Sequence, residues 1–165
     1  MVIIHQFEEK SREDGEIYII GKEDNRCPKC RGQLNVKDSR ERQGWSKYGE
    51  KRHYLLRRLQ CKECGAIHIE LPDILLPYKR YNAEAIICVL NREDADCVAS
   101  VRTKKRWLGW YERIWQPIVM LYLAIIQKEW NLSQVEMYLT EKPKEAGWLK
   151  TAVMAIINSG EKVPT

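Results

Sequence analysis

Three features of the chain predict an α+β fold. β-compatible runs crowd the first half, helical apolar spacing begins after Pro77, and two C-x-x-C turns lie within the β part. The 165 residues suffice for one or two domains, and a 44% hydrophobic composition is enough to bury a core. The predicted order is an acidic N-terminal β-hairpin over residues 1–25, a four-cysteine zinc ribbon over 26–76, a helix-turn-helix over 77–116 and further helices over 117–165.

Val2-Ile3-Ile4 and Glu16-Ile17-Tyr18-Ile19-Ile20 read as short strands around the polar turn Glu13-Asp14-Gly15. Residues 53–59 and 66–71 are β-compatible runs on either side of the second cysteine pair, and His68 between Ile67 and Ile69 gives a period of two. After Pro77, Asn82 is placed to cap a helix over residues 83–90, with Glu84 in its first turn. Asn91-Arg92-Glu93-Asp94 breaks it. A short second helix is expected around residues 95–99, and Ser100 caps a third that runs to about Trp115. Pro117 suits the first turn of a fourth helix through about Trp130, and a last helix from about Lys144 to Asn158 stops at Ser159-Gly160.

The N-terminus has no cationic segment ahead of its short apolar run, so neither a signal peptide nor an anchor is expected there. The longest apolar stretch, residues 118–126, is about half of the roughly 20 residues that span a bilayer. A soluble cytoplasmic protein with no membrane partner is expected, and in a reducing compartment closely spaced cysteines favour metal over disulfide.

Cys27-Pro28-Lys29-Cys30 and Cys61-Lys62-Glu63-Cys64 carry four of the six cysteines. Each turn converges two thiolates on one cation, and together they complete the tetrahedral shell that zinc accepts from sulfur. One structural Zn2+ on Cys27, Cys30, Cys61 and Cys64 is the expectation. Gly32 and Gly65 follow each pair, where the chain turns tightly. A redox pair would need a strand-to-helix junction that this region lacks, and four cysteines leave no open position for catalytic zinc. His53 and His68 read as sheet residues, and Cys88 and Cys97 as buried thiols.

Charge is unevenly distributed beneath the net +5. Residues 1–25 carry three basic and seven acidic side chains, whereas residues 26–60 carry eleven basic and three acidic. Residues 40–52 form the expected hairpin tip, rich in cations and holding Trp45 and Tyr48. It can lie along phosphates with a ring on a base, or be a solvated loop whose aromatics pack on the ribbon. Arg57 and Arg58 on the strand behind it add to the same field. On a helical wheel from Ser100, Arg102, Lys105, Arg106 and Arg113 surround Gly109 on one face. Trp107, Leu108, Tyr111, Ile114 and Trp115 occupy the opposite face. Two short helices before a longer one so divided match a helix-turn-helix whose last helix enters the DNA major groove. Lys79-Arg80-Tyr81, at the junction, is either a clamp on the DNA backbone or a hinge.

These motifs together resemble an uncharacterised bacterial family of small zinc-ribbon proteins, found mostly in Firmicutes. The resemblance rests on Cys-Pro-x-Cys with Gly32 and on Arg57-Arg58-Leu59-x-Cys61-x-x-Cys64-Gly65-x-x-His68. Its most specific part is Leu71-Pro72-Asp73-x-Leu75-x-Pro77-Tyr78-Lys79-Arg80-Tyr81, and it continues through Thr103-x-x-Arg106-Trp107 to Asn158-Ser159-Gly160. Lys104 stands where that pattern has an aliphatic residue. The resemblance implies a transposase-like zinc ribbon and helix-turn-helix, DNA binding in a mobile-element setting, and metal at Cys27, Cys30, Cys61 and Cys64.

The leading expectation is therefore a zinc-containing protein that binds double-stranded DNA, a regulator or an accessory factor of a mobile element. The competing one is a zinc-ribbon adaptor that docks a transposase or another protein through Trp110, Trp115, Trp130 and Trp148. Homodimerisation would use the helices after Pro117. No carboxylate or histidine cluster assembles into a catalytic site, and about fifty residues after the third helix leave no room for a transposase catalytic domain, so an enzyme is not expected.

Overall fold

The computed structural model describes residues 1–126 and 147–163. Among these, six strands precede the helices: β1 (Val2–Ile4), β2 (Phe7–Ser11), β3 (Ile17–Gly21), β4 (Leu34–Trp45), β5 (Lys51–Cys61) and β6 (Ile67–Pro72). The helices are α1 (Ala83–Leu90), α2 (Val101–Ile126) and α3 (Trp148–Ser159). The α+β class is as expected.

The long β4–β5 hairpin organises the sheet. Leu34 lies opposite Cys61 and Trp45 opposite Lys51, with a bulge between Val36 and Asp38. The thirty residues between the cysteine pairs are thus mostly hairpin arms. The tip is only residues 46–50, closed by the Ser46 amide donating to the Glu50 carbonyl at 2.9 Å. Residues 40–45 and 51–52, expected within an enlarged tip, are paired strand. Along the other edge of β5, β3 runs parallel to residues 54–56 and β6 antiparallel to residues 58–60.

The N-terminal strands pair differently from the expected hairpin. β1 lies parallel to β6, with Ile3 opposite Leu71, and the antiparallel partner of β3 is β2. Composition explains the exchange. Val2, Ile3 and Ile4 are all buried, which suits a covered strand, whereas Phe7-Glu8-Glu9-Lys10-Ser11 has charged positions that tolerate a sheet edge.

α1 occupies residues 83–90 as expected, although the Asn82 side chain makes no capping bond. The expected short helix at residues 95–99 does not form. The Val98 amide instead donates to the Lys47 carbonyl at the hairpin tip, and Lys104 pairs with Asp94 at 2.7 Å. These tertiary bonds replace local helical ones. Ten residues separate α1 from α2, against the three or four of a helix-turn-helix turn. Ser100 does cap α2, its hydroxyl accepting from the Thr103 amide at 3.2 Å.

α2 runs through Pro117 without the expected new start. Trp107, Tyr111, Ile114, Trp115, Ile118 and Val119 form one buried stripe that stays in phase across the proline, and Pro117 itself faces solvent. Continuous burial outweighs the one lost backbone bond. α3 starts later than expected, at Trp148; residues 127–146, which include Trp130 and the expected start at Lys144, lie outside the described residues. α3 buries Leu149, Ala152, Val153, Ile156 and Ile157 and ends at Gly160 in the left-handed conformation.

A single core cluster draws on the N-terminal strand (Ile3), the hairpin (Tyr54, Leu56), α1 (Ile86), α2 (Ile114, Ile118) and α3 (Ile156). Among the described residues, no helix is long and apolar enough to cross a membrane.

Candidate metal centre and cationic groove

The two C-x-x-C turns fold alike because each repeats the same backbone bonds. The Cys27 amide donates to the Gly32 carbonyl and the Arg31 amide to the Cys27 carbonyl. In the second turn, the Cys61 amide donates to Ala66 and the Gly65 amide to Cys61. The residue after the second cysteine takes the left-handed conformation in both, Arg31 at φ 65° and Gly65 at φ 70°. Gly32 is therefore one position beyond that turn residue. It serves close approach instead: a Cβ there would fall 1.8 Å from a Glu63 carboxylate oxygen.

The start of β4 opposite the end of β5 brings the two turns together. All four sulfurs of Cys27, Cys30, Cys61 and Cys64 lie within 4.8 Å of one another, with Cys27 to Cys64 at 3.7 Å and Cys30 to Cys61 at 3.4 Å. A tetrahedral ion with metal–sulfur bonds of about 2.3 Å sets sulfurs roughly 3.8 Å apart. The four cysteines can hold one metal ion.

The surroundings also favour thiolates. Burial raises the Cys27 thiol, but the amides of Cys30 and Lys29 outweigh it and bring its pKa down to about 7. The Cys64 amide acts likewise on Cys61, yet burial and the Glu63 carboxylate hold that thiol up at about 12. Four crowded thiols cannot all ionise without a cation among them. His68, read from the sequence as a sheet residue, is that and more. It is buried in β6 with Nε2 3.3 Å from Cys27 Sγ, where an imidazole N–H can donate to a thiolate and fix its direction.

The end of α3 closes over this region. Asn158 bonds both backbone groups of Ile3, its Oδ1 accepting from the amide and its Nδ2 donating to the carbonyl, each at 2.8 Å. One side-chain amide thus stands in for a neighbouring strand on the free edge of β1. Asp73 ties the other end of the sheet, receiving Lys150 of α3 at 3.0 Å and His5 at 2.8 Å.

A second feature lies between the segment after Pro77 and α2. Lys79, Arg80, Arg102, Lys105, Arg106 and Arg113, six of the eight expected DNA-contacting residues, line one concave groove of about 1160 Å³ together with Tyr78, Tyr81, Trp107, Gly109 and Trp110. Among the described residues none of the six cations has an acidic side chain within ion-pair distance. Lys79 Nζ sits 3.7 Å over the Trp110 ring, and Tyr81 meets Trp107 edge-on at 4.9 Å. Burial, then Arg106 and Arg113, hold the Lys79 ammonium below the ordinary lysine range.

Arg42 of β4, which the sequence did not single out, shapes that segment. Its guanidinium donates to the carbonyls of Leu76 at 2.6 Å and Lys79 at 2.9 Å, and the neighbouring Trp45 amide donates to Arg80. Trp45 thereby docks the end of β4 on the groove wall, and Tyr48 is left exposed.

Arg57 and Arg58 are not brought to the groove. Arg57 makes a two-pronged ion pair with Glu70, Nε at 2.6 Å and Nη2 at 2.9 Å, and also donates to the Gly21 carbonyl. Arg58 pairs with Asp38 across the hairpin. Alternating strand geometry puts these neighbours on opposite faces, each before its own carboxylate. Of the tryptophans expected to anchor a partner, Trp115 is buried in the core, Trp110 and Trp148 are half-buried, and Trp130 is outside the described residues.

Fold and site define an α+β protein with a four-cysteine cluster that can hold one metal ion. Residues 27–107 match a family model described as a domain of unknown function (DUF6431), a span that begins at the first cysteine and ends on α2 at Trp107. No curated protein and no solved structure matches the chain.

Proposed function

We propose that this is a zinc-stabilised DNA-binding protein whose phosphate contacts come from the groove between residues 78–81 and α2. The observation that carries the reading is the gathering of six cations on one concave surface with no acidic side chain within ion-pair distance among the described residues. Such a surface is electrostatically unfavourable in the free protein and is relieved by a polyanion. Zinc is the metal of choice for four thiolates and no redox role. Its part is structural, holding the open end of the hairpin so that Arg42 and Trp45, further along β4, fix the groove wall. The role is one of binding rather than catalysis, as a regulator or a mobile-element accessory factor.

Salt dependence tests the reading. The logarithm of affinity for duplex DNA should fall linearly with the logarithm of salt, and replacing Arg102, Arg106 and Arg113 by Ala should flatten the slope by about 2.7 if each neutralises one phosphate. An unchanged slope in a folded, metal-loaded triple variant sinks it. The adaptor reading draws on exposed Tyr48, Val98 and Val101 around and beyond the hairpin tip, and would leave the triple variant's binding to its protein partner intact.

A further inference from the structure

Tyr78 combines two properties that packing does not explain. Its backbone sits at φ 60°, a conformation disfavoured for a bulky side chain, and its residue surface is 78% exposed. A glycine there would be conformationally easier and would lose almost no burial. The conformation is imposed from outside, since Arg42 grips the carbonyls on either side of Tyr78, at Leu76 and Lys79. The fold thus leaves Tyr78 exposed among the residues that line the cationic groove, where that groove borders a hollow lined by Pro28, His68 and Ile157. The other rings there are engaged, Tyr81 against Trp107 and Trp110 beneath the Lys79 ammonium.

The shape of the groove bears on what enters it. A helix with its side chains is about 10–12 Å across and nearly fills a major groove about 12 Å wide. The cationic face of α2 does not stand alone, because residues 78–81 form the opposing wall of the same groove. A major groove has little room for both walls. A single strand is narrower, presents one row of phosphates and leaves its bases free to stack.

We propose that the groove takes a single-stranded stretch of nucleic acid, with a base stacked on Tyr78 and its phosphates on Lys79, Arg102, Arg106 and Arg113. This rests on the reading that the groove binds nucleic acid and narrows it to an unpaired segment.

The test uses the full-length, metal-loaded protein and fluorescence anisotropy with a labelled oligothymidine, the same strand with abasic positions, and a duplex of equal length. The oligothymidine should bind more tightly than either of the others. Tyr78→Gly suits the positive φ and so should keep the fold and metal content. It should weaken oligothymidine binding about 5- to 150-fold, the range for losing one stacked base, with no change in salt slope. Tyr78→Phe should retain affinity. Equal affinity for the abasic strand, tighter binding of the duplex, or no effect of Tyr78→Gly overturns the stacking proposal. If one of those results comes with a flattened slope in the triple arginine variant, phosphate binding survives without it. No binding to any of the three at low salt sinks both.

Discussion

Removing the Arg57 guanidinium tests whether the most deeply placed of the expected DNA contacts has a structural role. Its partner Glu70 is 2% exposed and receives two charged hydrogen bonds from Arg57 and one at 3.2 Å from the Gly21 amide. In Arg57→Ala the carboxylate keeps only the Gly21 donor and stays in a site that water hardly reaches. Breaking a buried pair from one side costs about 3–5 kcal/mol, most of it the uncompensated charge. For a chain of this size that corresponds to a melting temperature lower by roughly 6–20 °C. Urea unfolding of the zinc-loaded protein is the assay, with the midpoint expected to drop at constant slope. Arg57→Met with Glu70→Leu should recover most of the loss, since no charge is stranded. Arg58→Ala, whose pair with Asp38 is solvent-screened, should shift the midpoint far less than Arg57→Ala. The reasoning fails if Arg57→Ala costs no more than Arg58→Ala, or if it instead removes DNA binding from a protein of unchanged stability.

Further predictions concern the remaining parts. Elemental analysis should find one zinc per chain, lost in Cys61→Ser with Cys64→Ser, and the double variant should expose the amides of β4 and β5 near Leu34 to hydrogen exchange. Asn158→Ala strands both backbone groups of the buried Ile3 and should cost about 2–4 kcal/mol in denaturant titrations, with exchange protection falling first in α3. The ammonium of Lys79, held low by burial and by Arg106 and Arg113, opposes folding while it is charged, and that opposition begins to fall as pH rises through its lowered pKa and is gone only above the ordinary lysine range of the unfolded chain. Lys79→Met should therefore leave the free protein at least as stable at neutral pH while weakening polyanion binding. A bound anion should raise the Lys79 pKa back toward the ordinary lysine range and draw in a proton at pH between the two, detectable by calorimetry in buffers of different ionisation enthalpy.

What could be read from the chain alone was whatever depends on neighbours within a few residues. Two C-x-x-C turns need only local backbone geometry to point their sulfurs, so the four cysteines were legible. The limits of α1 and most of the two faces of α2 follow from spacing at 3.6 residues per turn: α2 buries Trp107, Tyr111, Ile114 and Trp115 as its wheel implies, but leaves Leu108, placed at the margin of the same face, exposed. The tertiary structure decided what depends on partners far along the chain. Val2–Ile4 pairs with β6 nearly seventy residues away, because an all-apolar strand is most stable where α3 and Asn158 cover it. Residues 95–99 gave up a helix once Val98 could bond the hairpin tip. Arginines with the same charge were sorted by location: Arg57 was drawn to a buried carboxylate, Arg42 became the brace of the groove wall, and Arg102, Arg106 and Arg113 line one side of the groove from a single helix. Sequence specifies each charge, but only packing determines whether a carboxylate or an empty groove stands before it.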